Sequence, residues 1–166
     1  MRVIGIDPGL TRTGYGVVQR DGGALTCRGF GVIRTPATEP LARRLFELRS
    51  AISDVLRSHE PNVVAVERVF FNANVQTAMS VGQASGVLLA TAAEAGMDVV
   101  TYTPTEVKQS VVGYGGATKA QIGSMVASVL RLAAPPAPPD AADACALAIC
   151  HINRSRLTRA IDEALA

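Results

Sequence analysis

Apolar residues run almost unbroken from Val3 to Ile6 and stop at Asp7; after Pro8-Gly9 they resume in a glycine-punctuated stretch, Gly14-Tyr15-Gly16-Val17-Val18. Short apolar runs bounded by turn residues read as buried strands. Three extended segments are predicted at 2–7, 14–20 and 24–35, with Asp21-Gly22-Gly23 as a hairpin signal between the last two, which together make an antiparallel meander. The period then changes. Leu41, Leu45, Leu48, Ile52, Val55 and Leu56 recur at three- and four-residue steps, with Arg43, Arg44, Glu47, Arg49 and Asp54 between them, so 38–60 is an amphipathic helix that packs on the sheet.

Pro61 ends that helix, and 62–67 is a second apolar strand that stops at an acid, Glu67. A strand reached through a helical crossover lies parallel to an earlier one; if its neighbour is the first strand, Asp7 and Glu67 emerge side by side. Residues 74–96 are helical by periodicity, but Gly82, Ala84, Ser85, Gly86, Ala90, Ala92 and Ala93 make the helix unusually small in girth. Interior glycines cost about 1 kcal/mol each against alanine, so close backbone approach to the sheet, another helix or a second subunit is expected. A fifth strand (98–102), a short helix (104–112), a glycine-rich loop and a helix at 119–130 follow, the last opened by a capping box of Thr118 and Gln121. The Pro135–Pro139 stretch reads as a stiff surface linker before a final helix that starts at Asp140, with Arg154, Arg156 and Arg159 as complements to its C-terminal dipole.

With 166 residues, 48% hydrophobic and 18% charged, the chain suits one globular domain spanning 1–166. It carries no apolar run long enough to span a bilayer and no signal-peptide pattern, so a soluble, unexported protein is expected. Cys27, Cys145 and Cys150 lack metal-ligand spacing, and two of them lie in an alanine-rich helix, which fits a reducing cytoplasm. The net charge of +2 says little about partners by itself.

The acids change that picture. Asp7 at the end of a buried strand either caps the Pro-Gly turn or serves chemistry, and Glu67 repeats the placement. Asp140 suits a helix N-cap, whereas Asp143 lies among alanines with little polar face and calls for a strong counter-charge. Asp140 and Asp143, three apart on a helix, point the same way and can meet the two strand-end acids. Four crowded carboxylates repel one another unless a divalent cation neutralises them, and an oxygen-only set favours Mg²⁺, with Mn²⁺ as a substitute. Two such ions, ~3.5–4 Å apart, serve in-line phosphodiester hydrolysis that leaves a 5′-phosphate. With those acids neutralised, the remainder carries 16 basic against 10 acidic residues, a bias toward a polyanion. Phe70 and Phe71 follow Glu67 closely and one of them could stack on an unpaired base; Arg68, Lys108 and Lys119 are candidate phosphate contacts, Lys119 because it opens a helix.

Gly5-Ile6-Asp7-Pro8-Gly9 with Thr13-Gly14-Tyr15-Gly16-Val17, Val66-Glu67-Arg68-Val69-Phe70, Val107 through Gly113, and Asp140-Ala141-Ala142-Asp143-Ala144 closely resemble the RuvC family of Holliday-junction resolvases, in order and at family-like spacing. The resemblance implies an α/β RNase H-like fold: a five-stranded mixed sheet, three strands antiparallel and two parallel, flanked by helices. It implies a homodimer that nicks four-way junction DNA symmetrically with RuvA–RuvB as partner complex. It places the catalytic and metal-binding tetrad on Asp7, Glu67, Asp140 and Asp143, the junction-contacting aromatic on Phe70, and two functional lysines on Lys108 and Lys119. A symmetric dimer suits a symmetric junction, and the small-residue helix is the expected dimer contact. Three rival readings remain distinct: an actin- or sugar-kinase-like ATPase, which needs a second domain; an RNase H-fold nuclease acting on structured RNA; and a non-catalytic DNA-binding module, which four acids would oppose.

Overall fold

The computed structural model describes residues 1–68 and 75–165, with Gln76 and residues 159–165 described by backbone alone. Strands β1 (Arg2–Asp7), β2 (Arg12–Asp21), β3 (Ala24–Arg34), β4 (Val63–Glu67) and β5 (Asp98–Tyr102) form one sheet in the order β3-β2-β1-β4-β5. β1, β2 and β3 pair antiparallel, and β1–β4 and β4–β5 pair parallel, the mixed topology of the RNase H-like fold expected above.

Helices cover both faces. α1 (Leu41–His59) and α2 (Val75–Glu94) lie on one: Leu48, Ile52 and Leu56 meet Ala84, Leu88 and Ala92 over Ile4, Ile6, Val17, Val64 and Val66. α3 (Pro104–Val112), α4 (Lys119–Leu130) and α5 (Pro139–Leu165) lie on the other, around Val3, Val18, Ala65 and the apolar side of α5 from Cys145 to Ile152. Alternation along each strand splits the apolar residues between the two cores, which is why β1 and β4 read as continuous runs.

α5 reaches the sheet through glycine. A Cβ on Gly5 would overlap the Ala144 carbonyl oxygen, and one on Gly14 the carbonyl oxygen of Asp140; at Gly16 it would stand 2.5 Å from Cys145 Sγ and 2.7 Å from Cys145 N. Gly5 and Gly16 are register partners across β1 and β2. Three glycines thus make a flat seat on which the backbone of α5 rests.

Of the close approaches expected for the glycines of α2, those to the sheet and to another helix are not found among the described residues. The apolar side of α2 is packed as expected, but Gly82 and Gly86 face open space, with nothing within 4 Å of a Cβ at either position. Close approach among the described residues therefore does not account for them. Two further readings are corrected. Pro136 is buried, so the proline stretch is not wholly a surface linker. α5 continues to Leu165 and has no basic residue in its last turn, so Arg154 and Arg156 are mid-helix residues and do not serve its C-terminal dipole. The capping boxes of α3 (Thr103 and Glu106) and α4 (Thr118 and Gln121) are both formed.

The two glycine classes respond differently to a methyl group. Gly5→Ala must displace helix backbone and is expected to destabilise the protein by about 3 kcal/mol or more, at the upper end of overpacking costs. Gly82→Ala is expected to stabilise the isolated chain by roughly 0.5–1 kcal/mol, since it only removes a flexible residue from a helix. Urea unfolding of the two variants checks both signs.

Candidate functional site

In the β1–β4 pair Ile6 lies opposite Val66, so Asp7 and Glu67, one step further, leave the same end of the sheet. Val3 on β1 and Val63 and Ala65 on β4 belong to the core beneath α5, and residues two apart share a face, so both carboxyl side chains lie on the α5 side. Gly14 pairs with Asp7 across β1 and β2, and Asp140 sits directly over Gly14, its own Cβ 3.1 Å from where a Gly14 Cβ would be. The seat that admits α5 therefore carries Asp140, and Asp143 one turn on, to the two strand-end acids.

The turn after Asp7 is tied by Thr13. Its buried hydroxyl donates to the Gly9 carbonyl at 2.6 Å and accepts from the Gly9 N–H at 3.5 Å. The turn-capping role considered for Asp7 thus falls to Thr13. The N-cap role considered for Asp140 is likewise not what the side chain does: α5 begins at Pro139, and the Asp140 carboxylate faces Arg12, whose Nη2 lies 3.4 Å from Oδ1 and 3.2 Å from Oδ2. Asp143 has the counter-charge its surroundings demand, Lys119 Nζ at 2.7 Å from Oδ2.

The cluster is electrostatically crowded. Burial, then the charges of Glu67, Asp143 and Asp140, push the Asp7 carboxyl up to about 7 against the opposing pull of Lys119. Glu67 is raised by burial and by Asp143, tempered by Lys119, by its hydrogen bond with Asp7 and by Lys108. Lys119 is held above its ordinary value chiefly by the hydrogen bond to Asp143. Asp140 Oδ2 is buried and receives no well-directed hydrogen bond.

A hard divalent cation fits this donor set: all oxygen, mutually repelling, with one buried carboxylate oxygen unsatisfied. As the side chains stand, no group of three Asp, Glu, His or Cys residues among those described is drawn close enough to hold a metal ion. Lys119 pairs with Asp143 and Arg12 with Asp140.

The remaining candidates separate. Lys108, half-buried on α3, lies near enough to Glu67 to lower its affinity for a proton. Arg68 turns along β5 instead: its N–H donates to Tyr102 O at 2.8 Å and its Nη2 to Thr101 Oγ1 at 3.4 Å. Phe70 and Phe71 lie outside the described residues. Arg12 and Thr13 were missed. The available signal was their position just beyond Asp-Pro-Gly, on the strand returning antiparallel to Asp7.

The family model for crossover junction endodeoxyribonuclease RuvC matches residues 3–151. The chain belongs to the RuvC family. A RuvC relative from Streptomyces coelicolor, a crossover junction endodeoxyribonuclease, is 52% identical over 167 residues, covering 100% of this chain and 89% of that protein. Thermus thermophilus RuvC superposes with a TM-score of 0.87 at 37% identity, covering 95% of this chain and 97% of that one. T. thermophilus RuvC in complex with Holliday junction substrate gives the same TM-score at 35% identity, with 95% and 96% covered. Both RuvC likenesses extend over nearly the whole fold.

The crowded acids predict how stability depends on pH. Asp7 titrates near 3.8 when free of the fold and at about 7 within it, so between those values the folded state binds the extra proton and stability declines as pH rises. Without divalent metal, the thermal midpoint should fall across that window, and Asp7→Asn should flatten the decline and raise the midpoint at pH 7 and above. Thermal unfolding in EDTA over a pH series checks it; an unchanged slope in the variant contradicts the assignment.

Proposed function

We infer that this chain is a structure-specific endodeoxyribonuclease that resolves Holliday junctions by nicking two strands, in homologous recombination and DNA repair, with 1–166 as one nuclease domain. The observation that supports this most is the convergence of carboxyl groups from β1, β4 and α5 on one face of the sheet at the strand ends, in a chain whose relatives carry that activity in their names. Asp7, Glu67, Asp140 and Asp143 are the residues that would hold Mg²⁺, or Mn²⁺ in its place, as a pair of ions. Bound there, such ions supply Lewis-acid activation of the scissile phosphate and of the attacking and leaving oxygens.

The chain's own side chains supply the rest. Gathering the acids requires Lys119 to leave Asp143 and Arg12 to leave Asp140, and both cations then stand free at the mouth of the site to meet backbone phosphates. Lys119 is well placed for this, 76% exposed and at the first turn of α4. Lys108 adds charge beside Glu67, and Phe70 offers a stacking surface to an unpaired base.

A four-way junction presents two equivalent strands, which a two-fold dimer matches with one site per subunit. The outward side of α2 supports that assembly. Val75 and Met79 are exposed, and Gly82, Gly86 and Ala90 continue the same stripe with no side chain to hold a neighbour away. RuvA–RuvB is the expected branch-migration partner and the cytoplasm the expected compartment.

Asp7→Asn, Glu67→Gln and Asp143→Asn should each lower nicking of a synthetic four-way junction by at least about a thousandfold while leaving junction binding within a fewfold, since each removes a group that acts on the reacting phosphate and not on the DNA arms. EDTA should reproduce the loss of cutting and spare binding. Cutting by Asp7→Asn at the rate of the unaltered protein would refute the site. Gly86→Glu should shift the protein toward monomer in sedimentation, because it puts a charge where two backbones meet; an unaltered dimer would place the contact elsewhere.

A further inference from the structure

The half of the molecule away from the acids carries a second charged feature that the nuclease reading does not use. Between the β2–β3 hairpin, the end of α4 and the middle of α5 lies a cavity of about 250 Å³. Leu25, Val129 and Ile152 form its floor, and the first two pack against the core beneath α5. Arg20, Arg131 and Arg156 stand around it, and no acid is among the lining residues.

None of these arginines is spent on an ion pair among the described residues. Arg20 uses only Nε, which donates to Gly22 O at 3.1 Å, and leaves both terminal nitrogens available. The nearby Asp21 does not neutralise it: adjacent strand residues face opposite ways, and the Asp21 carboxylate accepts from Gln19 Nε2 at 2.8 and 2.9 Å. Arg131 caps α4 at φ 55°, in the left-handed region where glycine costs least, so a long cationic side chain is kept at a backbone position that disfavours it. One cation would complement the α4 C-terminus; three guanidinium groups around an apolar floor exceed that need.

We propose that this cavity is a docking site for an acidic peptide segment of a partner protein, with carboxylates on the arginine rim and an apolar side chain on the Leu25–Val129–Ile152 floor. Guanidinium groups pair with carboxylates through two parallel N–H donors. Duplex DNA fits less well. A phosphate backbone has no apolar group for the floor, and at 1.5 Å per residue Arg156 lies roughly 20 Å along α5 from Asp143, toward the opposite end of the sheet.

The test uses the full chain and a fluorescein-labelled peptide of alternating Glu and Leu, followed by anisotropy, beside its Gln-for-Glu counterpart. Saturable, salt-sensitive binding of the Glu peptide is expected, with the Gln peptide and the Arg20→Ala/Arg156→Ala variant each weaker by roughly tenfold or more, as withdrawal of charge-assisted contacts predicts. Arg131→Gly should weaken the peptide as well while holding or raising the thermal midpoint, since glycine relieves the left-handed strain; this separates loss of the site from loss of the fold. Nicking of a four-way junction should be unchanged in both variants. Equal binding of the Glu and Gln peptides, or of the double variant and the unaltered protein, overturns the proposal. So does a duplex that displaces the peptide and loses affinity in the same variants, which would make the cavity a DNA contact.

Discussion

The position of everything chemical in this molecule follows from the contact between α5 and the sheet. An α-helix normally stands off a sheet by the length of interleaved side chains. Here Gly5, Gly14 and Gly16 remove the side chains on one partner and alanines thin them on the other, so the backbone of α5 lies against β1 and β2. The distance closed in this way brings the first turn of the helix level with the ends of β1 and β4. A methyl group at any of the three positions would collide with backbone or with the Cys145 sulfur, which no small rotamer change relieves.

The same contact explains why the acids can be gathered without closing on one another. Two arrive on strand ends fixed by register, two on a helix fixed by the seat, and each pair approaches from its own direction. Their repulsion is visible in the raised Asp7 and Glu67, where Lys119 opposes it, while Arg12 pairs with Asp140. Carboxylates held near one another by a rigid frame, with exposed counter-charges beside them, form a site suited to a divalent ion.

Much of this was legible in the chain. Strand ends at Asp7 and Glu67, the meander and the capping box at Thr118 follow from local pattern, because each rests on residues close in sequence, and the parallel return of β4 follows from its helical crossover. The demand of Asp143 for a counter-charge was legible for the same reason, though not that Lys119 would supply it. What pattern alone left out depends on contacts distant in sequence. Gly14 and Gly16 read only as punctuation within a strand, and only the arrival of Asp140 and Cys145 from the far end of the chain shows them to be a packing surface. Arg12 had no identifiable partner until the fold placed Asp140 over Gly14. The α2 glycines illustrate the reverse: close approach was expected, and within one chain the space beside them is open.

The central claim is that acids from three separate elements act as one metal-holding unit. Calorimetric titration of Mn²⁺ into the unaltered protein, Asp7→Asn, Asp143→Asn and the double variant tests it most directly. Groups that hold one ion in common are not additive, so each single change should remove most of the binding and the double change should add little. Losses that sum independently, or binding that survives both changes, would mean that the strand-end and helix carboxylates do not share a site.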